Sequence, residues 1–178
     1  MKTVYKLAIA VFSLTLIISC GDDEFEKVSS EEVDINLGGE VAYACPNCLV
    51  VDENDPANFY SRIDSVSQYG FGTYYTLPDS LKDCALKLIL TGKIRETESI
   101  TGSIAVALHS KDSILFWSQI KVNQHLTEKN KWANFKDSIM IPKQSNTSLS
   151  NLLKVFQFKT IGSGFYDIDN LNVKIIPQ

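Results

Sequence analysis

Hydrophobic and polar positions alternate with a period of two through most of this chain. Cys84, Leu86, Leu88, Leu90 and Ile94 fall on one side of the pattern, and Lys87, Thr91, Lys93 and Arg95 on the other. Ile104, Val106 and Leu108 alternate with Ser103, Ala105, Ala107 and His109. Ile114, Phe116, Ile120 and Val122 alternate with Leu115, Trp117, Gln119 and Lys121. Successive side chains of a strand point to opposite faces, so this period marks half-buried strands. Further strands are expected over residues 59–64, 69–76, 132–141, 152–160 and 166–176, with a turn at Leu77-Pro78-Asp79-Ser80. The one helix-like stretch, 122–128, is short. Many short strands separated by turns predict an all-β sandwich or barrel.

Residues 1–20 break the pattern. Lys2 and Lys6 make a basic start, and residues 7–18 are apolar except for Ser13 and Thr15. A bilayer-spanning helix needs about 20 apolar residues, whereas a secretory signal has a shorter apolar core after a basic start. The segment ends Ile17-Ile18-Ser19-Cys20, which resembles the lipobox of bacterial lipoproteins. The resemblance implies cleavage before Cys20, a diacylglycerol on its thiol and a fatty acyl group such as palmitate on the new amine. Each buried methylene contributes about 0.8 kcal/mol, and a single chain holds only marginally, so several chains are needed for a stable anchor. The acidic run Asp22, Asp23, Glu24 and Glu26 resembles the export signal of surface lipoproteins in the Bacteroidota, which implies display on the outer membrane. The chain is thus expected to divide into a signal peptide (1–19), a lipidated cysteine with an acidic tether (20–40) and a β-sandwich domain (41–178). Val33, Ile35 and Leu37 alternate, but Gly38-Gly39 follows, and the stretch reads as tether.

Removal of residues 1–19 takes Lys2 and Lys6 and moves the formal charge from −4 to −6. An acidic chain without basic clusters argues against a nucleic-acid partner. Cys45 and Cys48 form a C-x-x-C, but strand-like Leu49-Val50-Val51 follows, where a redox pair would open a helix. A zinc site would need a second such pair or paired histidines. A structural disulfide in an oxidising compartment is expected, either Cys45–Cys48 or Cys48–Cys84.

The region 59–176 resembles the galactose-binding-like jelly roll of many carbohydrate-binding modules. The resemblance rests on the turn at Trp132 feeding the strand to Ile141, on the closing strand Tyr166-Asp167-Ile168-Asp169-Asn170-Leu171-Asn172-Val173, and on the long central strands at 86–95 and 102–109. The glycine-phenylalanine-glutamate signature often found in the opening strand of such modules is missing. The resemblance implies a jelly-roll β-sandwich and points to glycan as ligand.

Sugar rings stack their C–H faces on aromatic rings, while polar side chains take the hydroxyls. Trp117, Gln119 and Lys121 are expected on one face with Ala105, Ala107 and His109. The alanines would leave a shallow trough beside the tryptophan, extended by Tyr74 and Tyr75. The candidate ligand residues are therefore Trp117, Gln119, His109 and Tyr75. Asp64 in the opening strand and Asp169 in the closing one are candidate oxygen ligands for a structural calcium; no other cofactor is expected. Asp167 and Asp169 sit two apart and are expected to face solvent. Without a nucleophile elbow, a zinc helix motif or a phosphate loop, no enzyme is expected. Finally, Asp64-Ser65-Val66, Asp79-Ser80-Leu81, Asp112-Ser113-Ile114 and Asp137-Ser138-Ile139 share one form. They resemble the Asp-(Ser/Thr)-aliphatic acceptor of Bacteroidota O-glycosylation, which implies glycans on Ser65, Ser80, Ser113 and Ser138. Asp-Ser is equally good turn chemistry before a strand. The chain reads as a membrane-anchored envelope lipoprotein with a noncatalytic glycan-binding sandwich. The alternative is an assembly component contacting another envelope protein.

Overall fold

A computed structural model describes residues 31–34, 48–97, 102–111, 113–144, 151–159 and 164–178. Its strands are β1 (Glu31–Asp34), β2 (Leu49–Asp52), β3 (Asp55–Ile63), β4 (Tyr69–Thr76), β5 (Leu86–Glu96), β6 (Gly102–Ser110), β7 (Ser113–Lys121), β8 (Ala133–Ile141), β9 (Asn151–Lys159) and β10 (Tyr166–Pro177). One helical turn, α1 (Asp79–Lys82), precedes β5, and a 3-10 turn (Val122–His125) follows β7. The strands form two antiparallel sheets, and the fold is an all-β jelly-roll sandwich. The larger sheet runs β2-β3-β10-β5-β8, and the smaller runs β4-β9-β6-β7.

β10 is the spine of the larger sheet. It pairs with β5 along its length on one side. On the other side it pairs first with β3, Asp167 lying opposite Arg62, and then with β1, Val173 lying opposite Val33. A bulge between Asp169 and Asn172 separates these stretches, and Asn170 takes a left-handed backbone there (φ 50°). The bulge returns Leu171, Val173 and Ile175 to the core side, where all three are buried. Part of the stretch read as tether is therefore a strand of the sandwich. Residues 31–34 are a strand by their main-chain pairing with β10, while Ile35 and Leu37 lie outside the described residues.

The core is the alternation made physical. Leu86, Leu88, Leu90 and Ile94 of β5 meet Ile104, Val106 and Leu108 of β6 and Leu153 and Val155 of β9 across the two sheets. Each such buried side chain contributes roughly 1.5–3 kcal/mol relative to exposure. One end of the core is polar. Ser61 of β3 donates to Gln157 Oε1 of β9 (2.5 Å), and Gln157 Nε2 donates to Tyr166 O of β10 (3.2 Å). The Tyr166 hydroxyl, fully buried, lies 2.6 Å from Ser103 O and 3.0 Å from Phe158 O. This cluster ties one sheet to the other.

Cys48 is disulfide-bonded and Cys84 is a free thiol, which excludes the Cys48–Cys84 pairing. The geometry explains it: Cys48 precedes β2 and Cys84 precedes β5, three strand spacings or about 14 Å away in the sheet, beyond disulfide reach. Cys45 and Cys20 lie outside the described residues.

Candidate functional site

The outer face of the smaller sheet carries an open groove of about 360 Å³ that crosses all of its strands. Register builds it. Ala107 of β6 lies opposite Trp117 of β7 on one side and Lys154 of β9 on the other, and Lys154 lies opposite Tyr74 of β4. Directly opposed residues share a face, so these side chains all project outward. Ala107 keeps the floor low between larger walls. His109 faces the groove by simple alternation from Ala107, and a bulge in β7 opposite Leu108 and His109 sets Ile114 across from it and turns Ile114 outward as well. A second bulge between Tyr69 and Gly72 does the same for Tyr69.

The groove is aromatic. Trp117 packs edge-on against Phe158 (6.1 Å between centroids), Phe158 against Phe156 (6.0 Å), and Phe156 against Tyr69 (6.5 Å). Trp117 remains 48 % exposed and Tyr69 56 %, so ring surface is available to a ligand. Lys154 holds its ammonium 5.1 Å from the Tyr74 ring centre. Burial, aided by the Lys154 charge, lowers the His109 pKa, so its imidazole is neutral at pH 7. A neutral imidazole offers a sugar hydroxyl both a donor and an acceptor.

Of the expected ligand residues, Trp117 and His109 line this groove. Gln119 shares their face opposite Ala105, and its side-chain Oε1 is buried without a hydrogen-bond partner among the described residues. Tyr75 is corrected: it lies opposite Leu153 and packs against the core, and its neighbour Tyr74 faces the groove instead. Tyr69 and Phe156 complete the lining without having been singled out. Their signal lay in β9, where Lys154, Phe156 and Phe158 alternate with Leu153, Val155 and Gln157. That pattern puts two phenylalanines outside and a glutamine inside, the reverse of the usual assignment.

Asp64 and Asp169 do not come together. Asp64 accepts from the Val66 and Ser67 amides in a turn beyond β3, and these bonds hold its pKa low. Asp169 lies three residues along β10 from Tyr166, the partner of Ile63, and accepts from Asn58 and Asn170. At about 3.3 Å per residue the two carboxylates are too far apart to share one ion. No group of metal-capable side chains gathers among the described residues. Ser65, Ser80, Ser113 and Ser138 are all exposed; Asp112 lies outside the described residues.

Asp167 is also corrected. It faces outward but is fully buried, because Arg62 and Arg95, its partners on either side, close over it. Arg62 Nε and Nη2 reach its carboxylate at 2.8 and 3.0 Å, and Arg95 Nη2 and Nε at 2.6 and 3.0 Å. The Asp167 hydrogen bonds raise the Arg62 pKa further. Phe165 lies 3.8 Å from the Arg62 guanidinium, and Trp132 lies 4.6 Å from that of Arg95. Trp132 and Trp117 thus belong to opposite sheets and form no common patch.

No family model and no curated protein matches the sequence. Several solved structures share the fold. A Stig cyclase from Fischerella sp. TAU, in complex with an indole compound, is 18% identical over 82% of this chain and 84% of its own, with a TM-score of 0.43. A structure described as a CBM4 is 13% identical over 83% of this chain and 87% of its own, at 0.41. The CBM22-1 xylan-binding domain of Paenibacillus barcinonensis Xyn10C is 10% identical over 84% and 86%, at 0.42. At these values the likeness concerns the fold alone. The expectation of no enzyme does not stand: solved structures of similar fold include cyclases and a chain of an arabinofuranosidase as well as carbohydrate-binding modules, and the fold by itself decides neither catalysis nor binding.

Proposed function

We propose that this chain is an envelope lipoprotein, held at the outer membrane by lipid on Cys20, whose sandwich binds glycan in the groove of the smaller sheet. One observation carries the reading: exposed faces of Trp117 and Tyr69 flank a low alanine floor, with His109 and Lys154 beside them. Aromatic platforms with flanking polar groups suit the C–H faces and hydroxyls of a sugar. Apolar C–H surface laid on each ring is removed from water at roughly 25 cal/mol per Å², so a groove contacting several sugar rings accumulates useful affinity. Ile114, 61 % exposed at the rim, favours a second reading, in which the same face docks an envelope protein.

The test is binding of the full chain to a polysaccharide panel, beside Trp117→Ala. Retention by one polysaccharide that is lost in a still-folded variant supports the glycan reading and locates it. Failure of the parent to bind any polysaccharide, with capture of an envelope protein that depends on Trp117, moves the groove to the docking reading.

A further inference from the structure

The larger sheet has a pocket of its own. It measures about 390 Å³, within the range of about 300–1,000 Å³ typical of small-molecule sites, and lies on the face remote from the groove. Arg62, Arg95 and Trp132 form its base, and Asp52, Glu53 and Asn130 its rim. We propose that this pocket is a second saccharide site, taking a single uncharged sugar ring independently of the groove.

The argument begins with the arginines. Each spends its Nε and Nη2 on Asp167, and each is stacked on an aromatic ring. Their orientation is therefore fixed before any ligand arrives, which removes most of the ordering cost that a flexible arginine would incur on binding. The Nη1 amines make no hydrogen bond to a described residue and remain as donors. Two guanidiniums on one carboxylate would by themselves attract an anion. Here Asp52 and Glu53 stand at the rim, and Asp52 is held ionised chiefly by the Asn54 backbone amide, with a smaller pull from the Arg95 charge. Three carboxylates against two guanidiniums leave no excess positive charge. What remains is a set of planar donors and acceptors, from guanidinium, carboxylate and the Asn130 amide, beside an indole. That set matches neighbouring hydroxyls on an uncharged ring better than it matches a phosphate or a carboxylate.

The chain contains only Trp117 and Trp132 as tryptophans, one at each site, so their indole N–H signals report the sites separately. The experiment is a proton–nitrogen correlation titration of the full, labelled chain with glucose, galactose, mannose and xylose, and in parallel with glucuronate. The expected result is a saturable shift of the Trp132 indole and of the Arg62 and Arg95 Nε–H signals with at least one neutral sugar. It should persist in Trp117→Ala and weaken at least about tenfold, or 1.4 kcal/mol, when Glu53→Ala and Asn130→Gly are combined. Both rim residues are exposed, and glycine accepts the positive φ (60°) of Asn130. No response at Trp132 to any neutral sugar, a response to glucuronate alone, or one that vanishes in Trp117→Ala would overturn the assignment. Loss of polysaccharide binding at the groove would leave it standing.

Discussion

Replacing Asp167 by alanine is expected to be among the most damaging single changes to this sandwich. The carboxylate is fully buried and receives four charge-assisted contacts between 2.6 and 3.0 Å, from neighbours on both sides of β10. It therefore rivets β3, β10 and β5 across the end of the larger sheet. Removing it leaves two partly buried guanidiniums side by side, with Asp52 and Glu53 at the rim the only carboxylates among the described residues lining their pocket. Breaking a buried ion cluster in this way costs about 3–5 kcal/mol, a large part of the 5–15 kcal/mol by which a domain is usually stable. With a urea m-value of about 2 kcal/mol per molar, the unfolding midpoint should fall by about 2 M. The assay is equilibrium urea unfolding followed by tryptophan fluorescence, with Trp132 packed against Arg95 as reporter. A triple variant, Arg62→Met with Asp167→Leu and Arg95→Met, should recover most of the loss, because apolar replacement of a whole buried cluster is often neutral. A midpoint shift below about 0.5 M for Asp167→Ala would refute the view that the cluster holds the strands together.

Trp117→Ala should abolish polysaccharide binding while leaving the melting temperature nearly unchanged, since the ring is 48 % exposed; a collapse in stability would instead make it a packing residue. Glu96 is buried with Oε2 unpartnered among the described residues, and burial raises its pKa against the opposing pull of Lys129. A carboxyl whose folded pKa is raised loses stability as pH rises from its unfolded value, about 4.3, through the folded one. Glu96→Gln should therefore gain in relative stability between pH 4 and pH 7, and a flat difference across that range would count against the assignment. A Cβ on Gly102 would sit 2.6 Å from the buried Tyr166 ring, so Gly102→Ala should cost about 1–3 kcal/mol by thermal melt, and a neutral result would mean the ring can move. If the Asp-Ser acceptors carry glycans, the intact mass of the native chain should exceed that of the acylated polypeptide by whole glycan units, and alanine at Ser65, Ser80, Ser113 and Ser138 should remove the excess.

The strands were legible because a half-buried strand writes its two faces into alternate positions, and β5 follows that rule closely; β7 departs from it at its start, where the bulge turns Ile114 to the same side as Trp117, against the alternation. The pairing of Trp117 with Ala107 followed from the same rule, since both lie outward on neighbouring strands. Bulges were not legible. The slip at Leu108 and His109 and the one after Tyr69 decide what enters the groove, and nothing in a linear pattern marks them. The Arg62–Asp167–Arg95 cluster was invisible for another reason. Its members lie 105 and 72 residues apart, and only the placing of β10 between β3 and β5 brings them together. Read along one strand, Asp167 is an exposed acid; read across three, it is the buried centre of a network.

The two proposed sites lie on opposite sheets, with side chains about 10 Å of core apart, and changes at such separation usually add. One residue makes an exception conceivable in physical terms. Gln157 borders the groove, yet its amide bonds inward to Ser61 and Tyr166, the chain neighbours of Arg62 and Asp167. A displacement of β9 by a ligand in the groove would reach the arginine cluster through these bonds. Gln157→Leu keeps the volume and removes the bonds, while Ser61 Oγ keeps the Phe71 amide as partner. We expect a stability loss of about 1–3 kcal/mol from the unpaired groups left behind. Any shift of the Arg62 and Arg95 Nε–H signals on filling the groove should disappear in this variant. If groove occupancy moves those signals equally in parent and variant, the coupling runs through the packed core, and Gln157 is only a strut.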